Sequence, residues 1–249
     1  MVTLRRSDRP IIVAHRGASG YAPENTYAAF DLAVKMGADM IEMDIHPTSD
    51  GRLVVIHDDT VDRTTNGHGK VSEMPYEQIR ELNAAARYID RDPEQVPLFS
   101  DVLSKYAGII DLMVEVKHGS SIYAGVEKEV VNQVTAQKAF DYVEIISFDG
   151  EALKRIRKEA SQIKLGIIFV GNMISFADNY QGQVEALHGS WDFVSREQIN
   201  YARQRNFFTF LWTANTEEEI SICSSYEPDG IVTNFPDRAK QILERIKRT

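Results

Sequence analysis

Residues Ile41–Asp59 read IEMDIHPTSDGRLVVIHDD. Glu42 and Asp44 stand two apart, and side chains alternate across a strand, so both carboxylates share one face. Ile41, Met43 and Ile45 occupy the other face. A turn at Ser49-Asp50-Gly51 leads to a second apolar run, Leu53 to Ile56, which ends in His57 and Asp58. A strand with apolar residues on one face and acids on the other, ending in a turn, fits the rim of a barrel or sheet. Its apolar face packs under helices and its polar face ends at a site.

Upstream, Ile11 to Ala14 is a short β-branched run that reads as a buried strand and ends in His15-Arg16-Gly17, with Val13 and His15 on one face. Gly17 and Gly20 mark a loop. Asn25 or Thr26 is the expected cap of a helix reaching Met36, closed by Gly37. Downstream, strands are expected at residues 111–116, 142–147, 164–170, 184–188, 207–212 and 230–233. They alternate with helices at 99–106, 123–138, 150–159, 195–205, 216–223 and 236–247. Residues 171–190 give the weakest pattern. The alternation, in a chain of 249 residues, predicts an α/β fold, a (β/α)8 TIM barrel with a small inserted subdomain after the second strand. An open doubly wound sheet is the competing architecture, but the Gly-rich dinucleotide turn expected after its first strand is missing. The chain reads as a single domain, 1–249. Within it, residues 46–97 hold the insertion, with a weak helix at Tyr76 to Leu82 and too few apolar residues for a core of its own.

The formal charge of −9, with no basic stripe, excludes a nucleic-acid partner. The single Cys223 excludes an intrachain disulfide framework and a cysteine-rich metal site, and fits a reducing cytosol. MVTLRRSDRP has basic residues but no apolar signal core behind them, and no run approaches transmembrane length. A cytoplasmic protein without stable membrane insertion is expected.

In a barrel the strand ends meet at one rim whatever their separation in sequence. His15-Arg16, Glu42 with Asp44, His57-Asp58, Glu115 with Lys117, and Trp212 are such ends. Glu42, Asp44 and Glu115 would converge, and like charges that close require a cation or raise one another's pKa. An all-oxygen trio suits a hard divalent cation, Mg2+ or Ca2+, better than zinc. Taken singly, each residue has a plainer reading. A Glu–x–Asp pair is commonly a solvated strand face, Lys117 an ion pair with Glu115, a strand-end histidine structural, Trp212 core, and Asn25 a helix cap. Together they are costly to bury at one rim without a function. His46, His68, His118 and His188 lack such company and read as structural.

These residues also carry a resemblance. HRGASGYAPENT (His15 to Thr26), IEMDI (Ile41 to Ile45), VVIHDD (Val54 to Asp59), VEVK (Val114 to Lys117) and LWTAN (Leu211 to Asn215) resemble, in order, the glycerophosphodiester phosphodiesterase family. The resemblance implies a TIM barrel with an insertion after the second strand. It also implies cation-dependent hydrolysis of glycerophosphodiesters to sn-glycerol 3-phosphate and an alcohol. It makes Glu42, Asp44 and Glu115 metal ligands and His15 and His57 the acid–base pair. Arg16 and Lys117 become phosphate contacts, Trp212 a wall on the glycerol side, and Glu24 and Asn25 braces of the His15 loop. Phospholipase C-like and sphingomyelinase D-like enzymes, or a binding protein without turnover, are the alternatives; the intact PENT and HDD motifs favour the glycerophosphodiesterase. Two stretches depart from the family pattern: Thr233-Asn234-Phe235-Pro236, where an Asp is usual at the second position, and VPLFSDVL from Val96. Both are expected to lie clear of the catalytic set.

Overall fold

The computed structural model describes residues 9–248; most of the basic N-terminal stretch lies outside them. Eight parallel strands form a closed ring among the described residues. They are β1 (Ile11–Ala14), β2 (Met40–Pro47), β4 (Asp111–Val116), β5 (Val143–Ser147), β6 (Lys164–Phe169), β7 (Ala186–Ser190), β8 (Phe208–Trp212) and β9 (Gly230–Thr233). β1 closes the ring by pairing with both β9 and β2. Helices α1 (Tyr27–Met36), α3 (Phe99–Tyr106), α4 (Val126–Ala136), α5 (Gly150–Glu159), α6 (Met173–Tyr180), α7 (Arg196–Gln204), α8 (Glu217–Ser225) and α9 (Pro236–Arg248) return the chain between strands or follow the last one. This is the expected (β/α)8 barrel with an insertion after its second strand.

The two faces of each strand build two cores. Ile12, Ile41, Met43, Ile45, Val114 and their equivalents point outward and are buried under the helices. Val13, Met40, Met113, Ile146, Ile168, Ala186, Phe210 and Val232 fill the barrel interior. Local chemistry sets the helix ends. The Thr26 hydroxyl accepts from the Ala29 N–H, and Gly37, at φ +77°, closes α1 by donating to Ala33 and Val34 carbonyls. Thr216 and Glu219 make a reciprocal capping box on α8.

Three points sharpen the expected picture. The run after the Asp50 turn lies in the insertion, outside the ring. β3 (Leu53–Val55) folds back antiparallel on the far end of β2, pairing Ile45 with Val55 and Pro47 with Leu53. A tight turn permits only an antiparallel return. Second, the weakly patterned 171–190 region contains α6, capped by the Asn172 side chain. Two of its half-buried positions are aromatic: Phe176 stacks on Phe169 at 4.2 Å and also on Tyr180, which blurs the apolar period. Third, the insertion has a core after all. Val54, Ile56, Val61, Val71, Ile79, Ala84, Val96 and Leu98 are buried together. They come mostly from turns and a one-turn helix, α2 (Tyr76–Ile79), so no periodicity announces them. Among the described residues no helix is long and apolar enough to cross a membrane.

Candidate active site

β2 and β4 run side by side with Asp44 opposite Glu115 and Glu42 opposite Met113. This register gathers Glu42, Asp44 and Glu115 so that an oxygen of each lies within 4.8 Å of the others, and all three are buried. Lys117, two residues beyond Glu115, returns its ammonium to within 2.7 Å of Asp44 Oδ1 and 2.8 Å of Glu115 Oε2. The loop after β1 supplies the rest. Gly17, at φ +80°, lies so close to α1 that a Cβ would sit 2.7 Å from the Ala29 backbone. This close approach brings the Arg16 N–H to Glu42 Oε2 at 2.8 Å and Arg16 Nε to Asp44 Oδ2 at 3.4 Å. Asn25, at φ +58°, donates its amide to Asp44 Oδ2 at 2.9 Å and accepts the Asp44 N–H at 3.4 Å.

Burial opposes the charge on Asp44, but Lys117 and Arg16 outweigh it and hold that carboxyl well below the usual range. Glu42 is pushed well up by burial and by the neighbouring Asp44 charge. Glu115 is raised to about 7 by the same two causes. Two of the three acids therefore have less counter-charge in the protein than their burial demands, Lys117 and Arg16 notwithstanding. An oxygen-only donor set with that deficit fits a hard divalent cation.

Two histidines flank the acids, each held through Nδ1. His15 Nδ1 lies 2.7 Å from Asn234 Oδ1, and His57 Nδ1 2.6 Å from Asp58 Oδ1. Burial, then the Arg16 charge, lowers His15 to about 4. Burial lowers His57 as well, opposed by Asp44. The His57 carbonyl accepts from His46 Nε2 at 3.0 Å, and His46 Nδ1 in turn accepts from the Tyr123 hydroxyl at 3.2 Å. Arg63 ties the histidine from the insertion to the loop after β1. It donates to Asp58 Oδ2 at 2.7 Å and to both oxygens of Glu24, which also accepts from Arg16 Nη1 at 2.9 Å.

The pocket between these groups holds about 140 Å³. His15, Arg16, Glu42, His57, Glu115 and Lys117 form one side; Met113, Ile146, Phe148, Ile168, Val232 and Trp212 form the other. Trp212 meets the half-exposed Phe148 edge-on at 6.0 Å. All ten residues singled out from sequence therefore assemble at one rim. Asp44 and Asn25 lie beneath the pocket wall, and Glu24 braces it from the side. The plainer reading of Asn25 as the helix cap gives way to Thr26, while Lys117 does form the ion pair expected of it.

One expectation is overturned: the departure at Asn234 does touch the proposed set, since Asn234 is the Nδ1 partner of His15. The alternation Val232, Asn234 at the end of the last strand was the available signal, because it continues the inward face of β9. Arg63 and Phe148 were also missed. Arg63 sits in the aperiodic insertion, and Phe148 follows β5 with no polar group to mark it.

The model of the glycerophosphoryl diester phosphodiesterase family matches residues 15–238. The chain belongs to this family. It is 32% identical, over 95% of its length and 99% of the relative's, to a glycerophosphodiester phosphodiesterase of Caldanaerobacter subterraneus. A second family enzyme, from Bacillus altitudinis, is 33% identical over the same shares. Among solved structures, a glycerophosphodiester phosphodiesterase of Agrobacterium tumefaciens is similar with a TM-score of 0.80 and 26% identity, covering 93% of this chain and 99% of that one. An Oleispira antarctica phosphodiesterase solved with its product sn-glycerol-3-phosphate shares the fold. Its TM-score is 0.87 at 24% identity, covering 95% of this chain and 97% of that one.

Asn25 combines a left-handed backbone with two hydrogen bonds to one buried acid. Asn25→Ala is expected to lower stability by about 2–4 kcal/mol, from the unsatisfied carboxylate and the backbone strain together. Asn25→Gly should recover the strain but not the bonds. Urea unfolding of the two variants separates the contributions; equal losses would remove the backbone component.

Proposed function

We propose that this chain hydrolyses glycerophosphodiesters to sn-glycerol 3-phosphate and an alcohol. His15 and His57 serve as the acid–base pair, and Glu42, Asp44 and Glu115 hold a divalent cation, Mg2+ or Ca2+. One observation carries the reading: two imidazoles, each anchored through Nδ1, line the same pocket as Glu42, Glu115, Arg16 and Lys117. When bound, the cation supplies positive charge against the phosphate oxygens.

The chain's own residues do the remainder. Arg16 is permanently charged, and its planar fork suits two phosphate oxygens. Burial alone would lower the Lys117 pKa, but Asp44 and Glu115 outweigh it and keep the ammonium charged. These two cations face the non-bridging oxygens and the extra charge of the transition state. Trp212 packs against the glycerol carbons.

The partners of the two histidines divide their labour. Asn234 is neutral, and the little its oxygen does to favour an imidazolium at His15 is outweighed by burial and the Arg16 charge. The His15 Nε2 stays a proton acceptor. Asp58 is a carboxylate and opposes the burial that lowers His57, so of the two imidazoles His57 is the better placed to carry the proton and act as donor. The first step follows. His15 takes the proton of the glycerol 2-hydroxyl, whose oxygen bonds to phosphorus. The bond from phosphorus to the alcohol breaks, and His57 protonates the leaving oxygen. In the second step the roles reverse. His57 takes a proton from water, which opens the cyclic phosphate, and His15 returns its proton to the 2-oxygen.

Four outcomes are expected. Metal-stripped protein should release sn-glycerol 3-phosphate from glycerophosphocholine only after Mg2+ or Ca2+ is added. His15→Ala and His57→Ala should each cut that rate by ~10² or more; a folded, fully active His57→Ala protein would remove that residue from the mechanism. Glu42→Gln should weaken cation affinity in a calorimetric titration, and unchanged affinity would show that Glu42 is not a ligand. A substrate analogue without the 2-hydroxyl should turn over at background rate, whereas robust hydrolysis would replace the cyclic route by direct attack of water.

A further inference from the structure

Inside the barrel, below the acids, lies a second polar pair that the proposed chemistry does not use. Glu144 of β5 and His188 of β7 point inward and meet with Nε2 3.0 Å from Oε1, at 0% and 1% exposure. β6 runs between their strands. The pair can meet only because residue 166 there is glycine: a Cβ would stand 2.4 Å from His188 Nε2 and 2.8 Å from Glu144 Oε1. The imidazole lies flat on Phe210, with ring centroids 4.8 Å apart and planes 8° apart. The His188 carbonyl accepts the Trp212 indole N–H at 2.9 Å, so the pocket's aromatic wall hangs on the same residue.

The surroundings make this pair unusual. Met113, Ile146, Ile168 and Val232 beside it carry no hydrogen-bond donor and, apart from the weakly accepting Met113 sulfur, no acceptor, and they line the pocket together with His188. His188 Nδ1 and Glu144 Oε2 are buried without a hydrogen-bond partner among the described residues. A buried polar atom left unpaired inside an apolar core destabilises the fold unless something outside the chain completes it. A ligand in the pocket is the available source.

We infer that His188, held from behind by Glu144, is the polar floor of the pocket and binds a hydroxyl of the substrate. The chemistry selects a hydroxyl. With Nε2–H directed at Glu144, Nδ1 is an acceptor when the ring is neutral and a donor when it is protonated. A hydroxyl serves either state, whereas an ammonium or a carboxylate serves one. The inference rests on the proposed phosphodiesterase reading and adds a specificity determinant to it. The hydroxyl comes either from the glycerol half common to all these substrates or from a polyol leaving group.

The test uses a double variant, Glu144→Leu with His188→Phe. It removes both partners at once and leaves no uncompensated charge. The kcat/KM for glycerophosphocholine, whose hydroxyls are all on glycerol, should fall roughly ten-fold more than that for bis(p-nitrophenyl) phosphate, which has none, and through KM. A loss confined to glycerophosphoglycerol would place the hydroxyl on the leaving alcohol instead. Equal changes on all three substrates, or none, overturn the inference. Wild-type protein that cleaves bis(p-nitrophenyl) phosphate but no glycerophosphodiester would sink the proposed function, and the binding measurement would still decide this inference. In wild-type protein with 15N-labelled histidine, sn-glycerol 3-phosphate should move the His188 ring resonances, identified by their loss in His188→Gln. Resonances that stay unmoved at saturation with sn-glycerol 3-phosphate and with free glycerol, the leaving alcohol of glycerophosphoglycerol, refute the contact.

Discussion

Asp44 is a charged carboxylate with no exposure to water, and the rim of the barrel is arranged around keeping it so. An isolated buried ion would be destabilising by several kcal/mol. Here an ammonium from β4, a guanidinium from the loop after β1 and the amide of Asn25 all close on it. The first follows the end of β4, and the other two sit at opposite ends of the loop between β1 and α1. The electrostatic demand of one side chain therefore fixes the mutual positions of β2, β4 and the loop leading to α1. The same contacts leave Glu42 and Glu115 short of positive charge, and so the requirement that orders the rim also readies it for a cation.

Rigidity spreads outward from there through charge alternation. Arg16, Glu24, Arg63, Asp58 and His57 form a continuous chain of opposite charges and hydrogen bonds. Isolated surface ion pairs contribute little, but in a connected, partly buried set each member is already restrained by the next. The apolar side of the pocket has a different logic. Trp212 is set by its single bond to a backbone carbonyl and by packing alone.

The parts of this architecture that were legible in the sequence share a property: they are periodic, or they sit at the end of something periodic. The alternation in IEMDI placed Glu42 and Asp44 inside and Ile41, Met43 and Ile45 under the helices. The same logic placed Glu115 and Lys117. Glu144 inside VEIIS obeys the alternation too and was readable as inward-facing, but its partner lies 44 residues away. No local pattern carries pairing across Gly166. Asn234 was noticed as a departure and dismissed, because sequence distance hides that the first and last strands are neighbours in a closed ring. The insertion's small core and the Arg63 bridge depend on turns, whose tertiary contacts leave no period. The antiparallel pairing of β3 was not legible, because a short apolar run looks alike as a stave and as a hairpin arm.

That hairpin has a consequence for how the molecule can change. β2 continues past the level where its neighbours stop, and its last residues pair with β3, which hands the chain on to His57. One of the two pocket histidines is thus delivered by the insertion and not by the end of a barrel strand, and His46 on the overhanging part of β2 holds its carbonyl. In many barrels the loops at this rim are interchangeable, so that selectivity evolves by exchange while the reacting groups stay with the strands. Here the decoration and the machinery are one piece. Residues 58–97 share a buried core with β3, and their first few positions are bound to the strand beneath. Exchanging that segment whole in this chain would take Asp58 and Arg63, the anchors of His57, with it.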